Sequence, residues 1–144
     1  MQKLDVNYVI GLVDGEGSFT VYVRNPKQDT YPTRRVKVEP RFYLKLTEED
    51  KVVLYRLQEF FDCGSVYFQK DNRKSHKNCY RFEVFNRNDL QTKIIPFFRT
   101  YTLHLPSKQR DFLLFDELMA CIAKGDHKTE TGLQKIYDLK QKMH

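Results

Sequence analysis

The chain has 144 residues, 40% of them hydrophobic and 31% charged, with a net charge of +6; this is enough for one domain with a real core and excludes a disordered chain. Its apolar runs are far too short to span a bilayer, and no charged-then-apolar leader opens it, so a secretory signal is not expected. Cys63, Cys79 and Cys121 are odd in number, match neither a zinc spacing nor a disulfide framework, and read as buried or free thiols of a reducing compartment.

In chain order, Asp5 or Asn7 caps a first helix. Val9, Ile10, Leu12 and Val13 leave it little polar face, which predicts burial on most sides. Gly11 and Gly15 stand four residues apart and share one face. A glycine inside a helix costs about 1 kcal/mol relative to alanine, so a pair of them makes sense where another backbone comes very close. Gly15 and Gly17 stop the helix, and Glu16 falls at its negative end, unfavourable unless a cation sits beside it. Phe19–Arg24 alternates as a half-buried strand, and Asn25–Thr33, with Pro26 and Pro32, is a turn. From Arg35 to Leu46 the alternation continues, with Val36, Val38, Pro40, Phe42, Leu44 and Leu46 on one face and Arg35, Lys37, Glu39, Arg41, Tyr43 and Lys45 on the other. Pro40 predicts an edge or a bulge.

Thr47 and Asp50 resemble a capping box for a second helix, with Val53, Leu57, Phe60 and Phe61 as its buried stripe. Two further strands, Ser65–Gln69 and Tyr80–Phe85, point Val66, Phe68, Tyr80, Phe82 and Val84 inward and Tyr67, Gln69, Arg81 and Glu83 outward. Asn88 is expected to cap a helix that Pro96 kinks, and Ser107 to cap a strong helix with Phe112, Phe115, Leu118, Met119 and Ile122 as its core stripe. Thr129 opens a last helix carrying Leu133, Ile136, Tyr137 and Met143. The expected fold is thus α+β, a single domain over residues 1–144, in the order αββαββα with extra C-terminal helices. Helices back the apolar face of a four-stranded antiparallel sheet and leave its polar face open.

That open face is where the charge lies. Residues 34–45 and 70–81 hold ten bases against two acids, +8 together, so the remainder sums to −2. Positive charge confined to two segments points to a polyanion. A basic sheet with Arg, Lys, Gln and Tyr at alternate positions can read a major groove, whereas outward Tyr22, Tyr43 and Tyr67 leave single-stranded RNA open as a ligand. No serine or cysteine pairs locally with a histidine, and the glycines close a helix instead of following a strand as in a nucleotide fingerprint. The acids Asp14 and Glu16 have two readings at this point: Glu16 ligates a hard cation such as magnesium, or both simply cap and solvate a turn.

The segment VIGLVDGEG, Val9–Gly17, resembles the LAGLIDADG motif of homing endonucleases, matching at Gly11, Leu12, Asp14 and Gly17, with Val13 for isoleucine, Gly15 for alanine and Glu16 for aspartate. The αββαββα order, the basic strands and SKQRDFLLF, Ser107–Phe115, resemble that family too. The resemblance implies an intron-encoded, intracellular (bacterial or organellar) enzyme that cuts double-stranded DNA at a long pseudo-palindromic site, leaving short 3′ overhangs. It implies a single-motif homodimer whose two motif helices touch through Tyr8, Gly11, Leu12 and Gly15. It implies Glu16 and the Gly15 carbonyl as metal ligands and Glu16 and Lys108 as catalytic residues. The implied metal is magnesium, with manganese or calcium able to occupy the same site. A polar residue near the metal falls around Leu46 or Glu48, Glu48 being read first as an ordinary first-turn acid. The expected DNA-facing residues are Thr20, Tyr22, Arg24, Arg35, Lys37, Glu39, Arg41, Tyr43, Lys45, Tyr67, Gln69, Arg81 and Glu83. An RNA maturase and a non-catalytic DNA-binding protein share the same fold and remain the alternatives.

Overall fold

The computed structural model describes residues 3–27, 37–73 and 77–144. Of the expectations above, most of the Asn25–Thr33 turn, with Pro32, and Arg35, with Val36 and the start of its strand, lie outside the described residues.

Helix α1 (Val6–Glu16) opens where the Asp5 carboxylate accepts the N–H of Asn7 at 2.8 Å. Asp5 is therefore the cap, and Asn7 is its donor. Val9, Ile10, Val13 and Asp14 are buried, but Tyr8, Gly11 and Gly15 are exposed. The expected burial on most sides thus holds for one half of the helix only. The helix passes straight into strand β1 (Gly17–Val23) at Gly17, whose φ of −79° is ordinary. Glycine is required there by space: a Cβ would lie 2.7 Å from Val13 Cγ1 and 2.9 Å from its carbonyl oxygen.

Strand β2 (Val38–Thr47) follows, then a 3-10 turn over Glu48–Asp50 and helix α2 (Lys51–Phe61). Thr47 and Asp50 touch only side chain to side chain, at 3.5 Å, and neither caps the helix. The helix starts one turn later than expected, and its buried stripe is Leu54, Leu57 and Phe61, with Val53 and Phe60 half-buried. A glycine at 64 in the left-handed region (φ +90°), packed against the Phe82 ring, turns the chain into β3 (Ser65–Gln69), which pairs with β4 (Cys79–Val84).

The sheet is antiparallel in the order β1-β2-β4-β3. Its apolar face runs in rows: Phe19 opposite Phe42 opposite Val84, and Leu44 opposite Phe82 opposite Val66. Pro40 sits in a central strand, not at an edge, yet its missing N–H breaks no ladder. β4 pairs with β2 only from Phe42 onward. The bond from Arg24 N–H to Lys37 O fixes the alternation of the β1–β2 ladder and points the Pro40 nitrogen away from β1, past the end of β4. Phe68, expected in the core, is 47% exposed and stacks edge-on with Tyr80, because edge strand β3 extends beyond the helices behind the sheet.

Helix α3 (Arg87–Asp89) is capped by Asn86, whose side chain accepts from Asp89 N–H at 3.0 Å, not by Asn88. It runs through a π-helical turn (Leu90–Ile94) into α4 (Ile95–Thr100). The wide turn falls just ahead of Pro96 and absorbs its absent donor without a break in the helix. Helix α5 (Pro106–Ala123) buries all five expected core residues, and α6 (Glu130–Lys140), capped by Thr129, buries Leu133, Ile136 and Leu139, while Met143, expected on it, is buried past its end. A bidentate ion pair from Arg99 to Asp116 joins α4 to α5. The centre of the core is aromatic: the Phe19 ring lies 5.0 Å from Phe42 and 5.3–5.4 Å from Phe98, Phe112 and Phe115. Phe19→Ala is expected to destabilise the fold by about 3–5 kcal/mol, measurable by denaturant titration. Among the described residues, no helix is long and apolar enough to cross a membrane.

Candidate active site

Glu16 is the last residue of α1, exposed, and makes no hydrogen bond or ion pair among the described residues. Lys108 lies in the first turn of α5, and its Nζ donates to the carbonyl of Gly17, the residue after Glu16. Two positions 92 apart in sequence are thus brought to one end of the sheet. The join is made by Asp14. Its carboxylate is buried and accepts the N–H of His104 at 3.1 and 3.0 Å and the N–H of Leu105 at 3.2 Å. Ser107 does not cap α5. Pro106 opens that helix, and its N-cap residue, Leu105, makes no side-chain cap. The Asp14 carboxylate, from α1, instead holds the two residues that lead into α5, where a negative charge also suits the positive end of that helix. Sequence reasoning saw Asp14 only as a turn acid, because its partners lie some 90 residues away.

Glu16 borders a cleft of about 460 Å³ shared with Lys45, Leu46, Thr47, Asp50, Asp71, Arg73, Lys77 and Cys79. Of the two candidates near the end of β2, Leu46 lines this cleft and Glu48 does not.

The polar face of the sheet rises from this end. Tyr22 stands opposite Glu39, Thr20 opposite Arg41, Tyr43 opposite Glu83, and Lys45, Arg81 and Tyr67 form one row. Gln69 pairs with Cys79, while Arg24 and Lys37 meet just beyond the strands, joined by a backbone bond of 2.8 Å. Register adds four residues that the alternation had not assigned to this face: Ser18, Thr47, Ser65 and Cys79. Glu83 is expected as a DNA-facing side chain, but it is only 6% exposed; Arg41 and Arg81 donate to it at 3.2 and 2.8 Å and the Tyr67 hydroxyl at 3.2 Å. Burial, more than the neighbouring Glu83, pushes the Tyr67 phenol up, so it stays a neutral donor. The Arg81 guanidinium lies over the Tyr43 ring at 3.6 Å.

The cysteines divide along the same lines. Burial raises the Cys63 thiol from 9.0 to about 11 and pushes Cys121 up as well, whereas Cys79 opens on the cleft. A two-unit rise leaves about a hundredfold less thiolate at mildly alkaline pH, so iodoacetamide is expected to label Cys79 well before Cys63, as read by peptide mass mapping.

A family model, the LAGLIDADG endonuclease, matches residues 9–119, from the motif helix into α5. The chain belongs to the LAGLIDADG endonuclease family. Among solved structures of the family, the homing endonuclease I-TnaI superposes with a TM-score of 0.80 at 33% identity, covering 99% of this chain and 90% of that one. I-SmaMI bound to uncleaved DNA target in the presence of calcium ions matches with a TM-score of 0.80 and 33% identity, over 99% of this chain but 45% of that one. A curated relative, the probable intron-encoded endonuclease 2 of Neurospora crassa, is 31% identical over 136 residues, 94% of this chain. The chain spans 28% of the length of that relative.

Within the family frame, the open half of the motif helix gains meaning. Tyr8 is 49% exposed, and apart from the adjoining residues and backbone of α1 itself no atom lies within 4 Å of where a Cβ would stand on Gly11 or Gly15. Leu12 is half-buried beside them. As for metal, no cluster of three or more His, Cys, Asp or Glu side chains occurs among the described residues. What is present is an unpaired Glu16 carboxylate and, next to it, the Gly15 carbonyl, one of the last carbonyls of the helix, which have no intrahelical donor. Both are hard oxygen donors that suit magnesium. They amount to part of a coordination shell, to be completed by phosphate oxygens, water or a second Glu16.

Proposed function

We propose that this protein is a magnesium-dependent, site-specific double-strand DNA endonuclease that works as a homodimer. The observation that carries this reading is the meeting of Glu16 and Lys108 at one end of an open, basic, four-stranded sheet. DNA-bound relatives of the same fold support it.

The sheet face lies along the major groove, where Arg41, Arg81, Gln69 and Tyr67 meet base edges and the lysines meet phosphates. Arg24, Lys37, Thr20, Tyr22, Glu39, Tyr43 and Lys45 complete the DNA-facing set on the described strands. Two copies of α1 pack through Tyr8, Gly11, Leu12 and Gly15, where the missing Cβ atoms let the backbones approach. Each copy brings one Glu16 and one Gly15 carbonyl towards a scissile phosphate, and these would hold the metal. Magnesium, when bound, lowers the pKa of the attacking water and stabilises the leaving oxygen. Lys108 is oriented by the Gly17 carbonyl and keeps two further N–H donors for the phosphate or its attacking water. Two identical halves read a site with matching two-fold symmetry.

The test is selection from a plasmid library that carries randomised inserts. With magnesium the protein is expected to linearise a subset of plasmids sharing one near-palindromic sequence, and with chelator none. The absence of any linearised product across divalent ions would remove the nuclease reading. Sedimentation of the protein on its selected duplex is expected to show two chains of 17.3 kDa. A single chain on the DNA would remove the homodimer.

A further inference from the structure

We infer that Glu83 is the positioning residue of the sheet's reading face. It fixes Arg41, Arg81 and Tyr67 in orientation and, together with Glu39, offsets the charge of the two arginines, so that the middle of the sheet supplies sequence discrimination and not phosphate affinity. This rests on the reading of that face as the DNA-binding surface.

A carboxylate on a solvent-facing strand position is ordinarily hydrated. Glu83 is not, because β4 is an inner strand and the long side chains of β2 and β3 close over it. Its Oε1 accepts from Arg41 and Arg81, and its Oε2 from Tyr67. Arg41 reaches on to Glu39 Oε2 at 3.3 Å. Two guanidiniums and two carboxylates, whose own charges offset one another, are therefore linked as one set in the middle of a basic face. The positive charge that attracts phosphates is left to residues outside it, such as Lys45 and Lys77 beside Glu16.

Stability alone does not account for such a set, since replacing buried ion pairs with apolar side chains is often neutral or favourable. Orientation does account for it. A guanidinium has five N–H donors in a rigid fork. Arg81 is clamped between the Glu83 carboxylate and the Tyr43 ring, and is only 16% exposed at its side chain. Its Nε has no hydrogen-bond partner, and neither has Gln69 Oε1 in the adjacent row. Both atoms are shut off from solvent, so a base edge meets only the exposed part of the clamped guanidinium. Holding these groups before DNA arrives removes the ordering cost that a free arginine would meet on binding.

The experiment compares wild type with Glu83→Gln and Glu83→Asp, using a duplex pool randomised over the length of a site and a salt series on one unselected duplex. Wild type is expected to enrich one sequence. Glu83→Gln, isosteric but neutral, is expected to lose preference at the base pairs under Arg41 and Arg81 by roughly tenfold or more. Preference elsewhere is kept, and affinity for the unselected duplex rises with a salt slope steeper by about one ion. Glu83→Asp keeps the charge and retracts the carboxylate, so discrimination at those pairs falls at an unchanged salt slope. If Glu83→Gln fails to fold, by circular dichroism, Glu83→Asp decides the question alone. The inference is overturned if the variants enrich the wild-type sequence, or if every position weakens equally. Failure of wild type to enrich any sequence would instead remove the underlying DNA-reading assignment.

Discussion

Glu16→Gln is expected to cut the rate of cleavage of a selected duplex by at least about a thousandfold, the counterpart of roughly 4 kcal/mol of lost charge stabilisation, with binding changed by no more than about twofold. The asymmetry follows from the position of the side chain. Glu16 is exposed, carries no hydrogen bond among the described residues, and packs against nothing that holds the fold together. Glutamine keeps its length and its carbonyl oxygen but not its charge, and a neutral amide is a poor ligand for a hard divalent ion. The sheet face proposed to bind DNA lies on other residues altogether. Binding should even improve slightly, because one negative charge leaves the neighbourhood of the phosphates. The check is a single-turnover cleavage assay beside a gel-shift titration with calcium in place of magnesium. Full cleavage by Glu16→Gln would remove the metal-ligand role. Loss of binding together with cleavage would show that Glu16 helps to hold the DNA.

The strands that carry the open polar face were legible because period-two alternation is a direct record of which side is buried. From Val38 to Leu44 every second residue is buried and every other one is not, as the residue types alone say. Helix ends were less legible, because a cap depends on backbone angles that residue type only biases. Asn86 and Asn88 are equally good candidates, and only the extended φ and ψ of Asn86 select it. Ser107 looks like a cap until Pro106 is seen to occupy the first helical position. Phe68 misled for a different reason. Alternation assigns its face correctly, but whether that face is covered depends on where the helices behind the sheet stop. Least visible was the wiring of the site. The chain shows that Glu16 ends a helix and that Lys108 begins one, but only the register of two distant elements shows that Asp14 ties them together. The network of Glu83 has the same character: its four members lie on three strands, and local sequence holds no trace that they meet.

Asp14→Ala is therefore expected to be the most damaging single change outside the aromatic core, lowering stability by about 3 kcal/mol, or on the order of 10 °C in melting temperature for a chain of this size. Two backbone N–H groups, of His104 and Leu105, lose the buried carboxylate that accepts them in a partly buried junction. Each such orphaned donor costs roughly 1–3 kcal/mol. Asp14→Asn is the informative companion. Its one carbonyl oxygen can still accept, but the amide end turns a donor towards N–H groups, so about half the loss should remain. The two variants separate stability from catalysis. The His104–Leu105 segment carries α5 and hence Lys108, so cleavage by Asp14→Asn at a temperature well below its melting point should still fall, by roughly tenfold, if Lys108 acts through its placement. A variant that melts early but cuts at the wild-type rate in the cold would show Asp14 to be a structural clasp alone, and would detach Lys108 from the chemistry at Glu16.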